Sequence, residues 1–168
     1  ARLLPTSAEA RFQLGAAGVR AQWNAHTRGV LLASPSNPTG TSIARSEMAA
    51  IVEEVRERRG VTLVDEIYLG LSYDEAFGHS ALEHGDDVIS INSFSKYFSM
   101  TGWRLGWLVL PEALVAPVEK LAQNFFISPS APAQHAALAA FSPETTTILE
   151  ARRAEFRAAA ARRRRARR

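Results

Sequence analysis

The sequence predicts an α/β fold: a mixed, mostly parallel sheet with flanking helices. Three observations lead there. Short apolar runs at residues 30–33, 61–64 and 88–91 have the length and bounding residues of buried strands. Between the first two, Met48, Ile51, Val52 and Val55 recur at helical spacing among charged residues, so strand, helix and strand follow one another with short joints, the pattern of a parallel crossover unit. A fourth apolar run, Leu105 to Leu110, follows the third across a connection too short for a helical crossover. It is therefore expected to run antiparallel.

Taken in order, Arg2-Leu-Leu-Pro5 reads as the end of a strand, followed by a polar segment and a short helix through Ala16 to Trp23. Val30 to Ala33 stops at Ser34-Pro-Ser-Asn-Pro-Thr-Gly40, whose two prolines and glycine exclude helix and central strand and specify a shaped loop. The amphipathic helix that follows is expected to end at Gly60. Val61 to Val64 then leads into Asp65-Glu66, and Val88 to Ile91 into Ser93-Phe-Ser-Lys96. Beyond Pro111, Leu114, Val118, Leu121 and Phe125 mark one helical face, and Ser128-Pro-Ser-Ala-Pro132 interrupts it. Residues 134–141 and 143–156 read as further helices, with Pro143 suited to a first turn.

Composition narrows the chemistry. The chain has no cysteine, which excludes disulfides, thiolate catalysis and cysteine metal sites. Its four histidines, His26, His79, His84 and His135, show no ligand pairing at helical spacing, so no metal is expected. No apolar run reaches the roughly 20 residues of a membrane span, and no signal-like core is present, so a soluble cytoplasmic protein is expected. The formal charge of +3 is concentrated at one end. Residues 150–168 hold nine arginines against Glu150 and Glu155, which leaves the preceding residues net acidic. The expected division is therefore a body, residues 1–149, and an Arg-rich tail, residues 150–168, that forms a frayed helix or is disordered. No specific nucleic-acid partner follows from charge placed in that way.

The parallel strands direct Asn37, Asp65 with Tyr68, and Ser93 to Lys96 toward one sheet edge, where open α/β sheets bind ligands. Lys96 is one of only two lysines, the other being Lys120, in a chain that otherwise uses arginine. A guanidinium stays protonated, so an amine at this edge points to a nucleophile or a proton carrier. Each of these residues taken singly would be ordinary, a turn former, a strand cap or a surface ion. Their shared edge is what gives them meaning.

Ser-Pro-Ser-Asn-Pro-Thr-Gly40, Asp65-Glu-Ile-Tyr68, and Ser93-Phe-Ser-Lys96 through Gly102-Trp-Arg104 resemble, in this order, the motifs of the class I/II aminotransferases. These are fold-type I enzymes that use pyridoxal phosphate (PLP). The resemblance covers residues 28–141 and implies the central part of the large, PLP-binding domain. It implies that Lys96 is the Schiff-base lysine and general base, that Asp65 pairs with the pyridine nitrogen, and that Asn37 and Tyr68 bond the phenolic oxygen. Arg104 and Ser93, with Ser95 as a further candidate, match phosphate-holding positions. Trp103 and Trp107 are read as packing residues.

The implied activity is amino-group transfer between an amino acid and a 2-oxo acid, by a homodimer in the full-length protein. The motifs describe the cofactor and leave open which bond breaks, so a PLP-dependent C–S lyase or decarboxylase, or a non-catalytic sensor domain of a transcriptional regulator, also fits them. The family's Gly-rich phosphate loop, ring-stacking aromatic residue and substrate-carboxylate arginine have no match in this sequence. An exposed apolar sheet edge is expected in consequence.

Overall fold

The structure, a computed structural model, describes residues 1–165. Four strands form one sheet in the order β1 (Gly29–Ala33), β2 (Val61–Asp65), β3 (Val88–Ser93) and β4 (Gly106–Val109). The first three are parallel and β4 is antiparallel to β3. The mixed sheet is thus as the sequence indicates. Registers place Ala33 beside Asp65, Asp65 beside Ile91, and Ser93 beside Gly106.

One face of the sheet is closed by α1 (Ala16–Gln22) and α2 (Arg45–Glu57), whose Met48, Ile51, Val52 and Val55 pack with Val19, Leu32, Val64 and Val88 in a dry core. Burying each such side chain contributes about 1.5–3 kcal/mol. The end of α2 is set differently from expectation. Arg59 takes the left-handed conformation, φ 55°, and Gly60 N–H donates to the Val55 carbonyl at 2.9 Å. Gly60 is needed for room, since a Cβ there would stand 2.3 Å from the Trp23 ring.

The opposite face is covered in part. Phe94, Phe98, Trp107 and Phe141 form an aromatic cluster with ring centroids 4.9–6.4 Å apart, and Ala137 and Ala140 of α4 (Ala131–Ala140) pack into it; α4 follows α3 (Glu112–Phe126) and precedes α5 (Pro143–Arg165) in the chain. Three sequence expectations are corrected here. Residues 2–5 form no strand, because β1 is paired on its β2 side alone and no described segment hydrogen-bonds to residues 2–5 in strand register. The apolar side of α3 is not buried: Leu114 and Val118 are half-buried, and Leu121 and Phe125 are 56% and 75% exposed. Trp103 is also exposed, whereas Trp107 packs in the aromatic cluster. As expected, an apolar sheet edge is bare, with Leu31 of β1 70% exposed.

Helix α5 runs without a break across residue 150, so the boundary drawn there by charge falls inside one element. Residues 150–165 are helical. The final residues of the Arg-rich stretch, 166–168, lie outside the described residues.

The α1–α2 contact also carries a buried charge. Glu54, 3% exposed, is bridged by Arg20 and Arg58, and the hydrogen bond from Arg20 holds its carboxyl below the usual range. Asp87 is lowered likewise, first by its bond from Arg56. The unfolded chain therefore takes up protons on these groups at a higher pH than the folded chain does. The stabilisation is complete above the ordinary carboxylate range and is lost as pH falls through it toward the depressed folded values. Urea unfolding should show the midpoint falling below about pH 4.5. In Glu54→Gln the acid limb of that profile should be shallower, and an unchanged limb would sink the assignment.

Candidate functional site

The carboxyl ends of β1, β2 and β3 open onto the edge where the sequence places the candidate residues. Beyond β1, the 34–41 loop closes on itself through Ser36 N–H to the Thr41 carbonyl, 2.9 Å, and Gly40 N–H to the Ser36 carbonyl, 2.8 Å. Both X-Pro bonds in it are cis. Its root is anchored by the buried Ser34 hydroxyl, which accepts from Ile43 N–H at 3.1 Å. Asn37 stands exposed at its tip and lines a cavity of about 1040 Å³ with Tyr68 and Tyr73.

At the end of β2 two consecutive acids part ways. Thr62, Val64 and Glu66 are buried on one face, whereas Leu63 and Asp65 are half-buried on the other, as strand periodicity requires. Glu66 accepts from Ser80 Oγ at 2.9 Å, Ala81 N–H at 2.6 Å and Ser90 Oγ at 2.5 Å. Ser90 accepts in turn from Asn92 Nδ2 at 2.8 Å. Asp65 Oδ1 accepts from Ile67 N–H at 3.0 Å, an Asx-type turn that starts the chain toward Tyr68. Among the described residues, no hydrogen bond engages its other carboxylate oxygen.

Beyond β3, Lys96 sits in a turn pinned on both sides. Phe94 and Met100 are buried, Met100 N–H donates to the Phe94 carbonyl and Ser99 N–H to the Lys96 carbonyl, each at 3.0 Å. The pins are apolar and the lysine is left exposed. Its Nζ lies 5.5 Å from the centroid of the Tyr68 ring, and among the described residues it has no ion pair or hydrogen bond. Ser95, Lys96 and Thr101 line a cavity of about 900 Å³ that shares Leu71 and Tyr73 with the Asn37 and Tyr68 cavity.

The hydroxyl groups beside Lys96 are linked. Ser93 Oγ lies 2.9 Å from Ser95 Oγ and 3.2 Å from the Leu105 carbonyl, and it accepts from Ser95 N–H at 3.0 Å. Thr101 Oγ1 donates to the Ser95 carbonyl at 2.5 Å. Arg104 holds a left-handed conformation, φ 52°, and its Nη1 donates to the Thr101 carbonyl at 3.1 Å. The structure thus brings Lys96 to Tyr68, Ser93 to Ser95, and Asn37 to the cavity of Tyr68. Arg104 reaches the group through the Thr101 backbone alone, and Asp65 and Arg104 line neither of the two cavities.

Sequence reasoning missed Glu66, Thr101 and Tyr97. Glu66 was legible in principle, as the third inward position after Thr62 and Val64. Tyr97 bonds Glu150 of α5 across 53 residues, and no local pattern announces such a contact.

The comparisons with known proteins agree with one another. The family profile for aminotransferase class I and II matches residues 2–167. Valine–pyruvate aminotransferase of Mycobacterium tuberculosis is 41% identical over 154 residues, which are 91% of this chain and 39% of that protein. An aspartate aminotransferase of Sulfurisphaera tokodaii is 38% identical over 77% of the chain and 33% of its own length. A crystal structure of an aminotransferase from M. tuberculosis superposes with a TM-score of 0.83 at 42% identity, covering 89% of this chain and 39% of that one. An aromatic aminotransferase from Pyrococcus horikoshii gives 0.84 at 29% identity, over 91% and 42% of the respective chains. The chain therefore spans about two fifths of the length of such relatives.

Proposed function

Because this chain belongs to the aminotransferase class I and II family, we propose that the full-length protein is a PLP-dependent aminotransferase, with residues 1–149 forming part of its cofactor-binding large domain. The observation that carries this reading is the exposed Lys96 amine, which has no ion pair or hydrogen bond among the described residues and lies 5.5 Å from the Tyr68 ring, beside a cavity edged by Ser95 and Thr101.

The donor set fits PLP. An amine stands ready for an aldehyde, a carboxylate at the end of β2 keeps one oxygen uncommitted among the described residues, and hydroxyls cluster beside the lysine as acceptors and donors for a phosphate. When bound, the cofactor supplies an electrophilic carbon and a ring that accepts electron density. Lys96 would anchor it and then carry a proton to and from the substrate α-carbon. Asp65 would keep the pyridine nitrogen protonated, and Asn37 and Tyr68 would hold the phenolic oxygen. Ser93, Ser95 and Arg104 would hold the phosphate, Arg104 after its side chain turns from the Thr101 carbonyl. The substrates are an amino acid and a 2-oxo acid, and the full-length enzyme acts as a cytoplasmic homodimer. Among the described residues, no helix is long and apolar enough to cross a membrane.

The test is to add PLP to the full-length protein, reduce with borohydride and map the modified peptide, then add amino acids to an unreduced sample. The expected result is a single adduct on Lys96, and conversion of the bound cofactor to its amine form by amino acids. An adduct on another lysine would sink the assignment. Release of 2-oxo acid without that conversion would mark an eliminating enzyme, and an adduct inert to every amino acid would mark a sensor.

A further inference from the structure

β2 and β3 are paired as far as Asp65 and Ile91, with Glu66 N–H donating to the Ile91 carbonyl at 2.9 Å; past that pairing Lys96 and Tyr68 lie on separate loops, which meet at the side chain of Tyr97. Its side chain packs on Gly70, where a Cβ would stand 2.7 Å from Cγ and 2.9 Å from Cδ2. Only glycine lets the two segments come this close. The phenol then donates to Glu150 Oε1 of α5 at 2.6 Å. Glu150 Oε2 accepts from Arg153 Nη1 at 3.0 Å, and Arg153 Nη2 returns to the carbonyl of Ser72, two residues beyond Gly70. The contacts close a circuit: Lys96 segment, α5, Tyr68 loop, and back through Gly70.

The circuit keeps its polarity under ordinary conditions. Burial, with the bond to Glu150, pushes the Tyr97 phenol up to about 12. Glu150 is held below the usual carboxylate range, first by Tyr97 and then by Arg153. The phenol is therefore a neutral donor and the carboxylate a charged acceptor at any pH near neutral.

We propose that Tyr97, seated on Gly70 and bonded to Glu150, is a positioning residue that sets the separation between Lys96 and Tyr68. This rests on the cofactor assignment above. If Tyr68 bonds the phenolic oxygen next to the lysine linkage, loosening the separation weakens that bond, makes the oxygen more basic and raises the pH at which the linkage loses its proton.

The experiment uses the full-length protein loaded with PLP and reads the pH midpoint of the visible absorption change, together with PLP release and thermal unfolding. Tyr97→Phe keeps the ring on Gly70 and loses the bond to Glu150. Its midpoint should rise by about half a pH unit, with PLP retained about fivefold less tightly. Glu150→Gln keeps an acceptor and should remain near wild type. A Tyr97→Phe midpoint that is unchanged or lowered, with or without a lower melting temperature, overturns the proposal. If Tyr97→Phe does not fold, Gly70→Ala takes its place, because the added methyl must displace the ring, and the same criterion applies. Failure of the unsubstituted protein to form a lysine adduct would instead overturn the cofactor assignment.

Discussion

Lys96→Ala in the full-length enzyme is expected to reduce transamination by a factor on the order of 10⁴ or more. The site has a single amine at the sheet edge, and the chain's other lysine, Lys120, lies in α3. In the proposed role, alanine would remove both the anchor for the cofactor and the carrier of the α-proton. Lys96→Arg is the sharper variant, because it keeps the positive charge and much of the length but cannot give up its proton. Both variants should lose activity to a similar extent in single-turnover assays. Lys96→Arg activity above about one hundredth of wild type would mean that charge, and not a free amine, is what the site needs.

Glu66→Ala is expected to destabilise the fold by about 3–5 kcal/mol, the largest stability effect of any single polar substitution proposed for this chain. Glu66 is 3% exposed and accepts three hydrogen bonds. Truncation leaves the Ser80 hydroxyl, the Ala81 N–H and the Ser90 hydroxyl without their acceptor, and each such loss costs about 1–3 kcal/mol before relaxation. Ala81 and Ser90 are fully buried, so water cannot readily substitute. Glu66→Gln retains one carbonyl acceptor and should cost about half as much. Urea unfolding of the full-length protein measures both, and a Glu66→Ala loss below about 1 kcal/mol would show that the network is dispensable.

The sheet was legible from residues alone because each strand is a short apolar run ended by a polar cluster, and because joint length decides between parallel and antiparallel pairing. Val61 to Asp65 and Gly106 to Val109 illustrate the two outcomes. The site was legible as an edge: Asn37, Asp65, Tyr68 and Lys96 each lie at or just beyond a strand end, and strand ends of a parallel unit coincide. What stayed out of reach were contacts set by tertiary approach. The exposure of Leu121 and Phe125 could not be read from their helical spacing, since periodicity names a face and not what covers it. That Gly60 is also needed for room was out of reach for a related reason, because the Trp23 ring that requires it comes from α1's far end. For Arg104, which matches a phosphate-holding position by motif, the bond of its side chain to the Thr101 carbonyl is likewise not legible in the sequence.

The end of β2 sets side by side an acid that the fold relies on and an acid that it hardly uses. Glu66 is tied to three partners in the interior, while Asp65 offers one oxygen to Ile67 and leaves the other uncommitted. Heritable variation at the two positions therefore has different freedom. Exchange of the group at 65 should leave the scaffold intact and change only what the sheet edge can do. At 66 the same single-codon step removes the scaffold before any new chemistry can be tested. Strand alternation thus separates, by one residue, a position whose substitution is felt at the sheet edge from a position whose substitution is felt in the core.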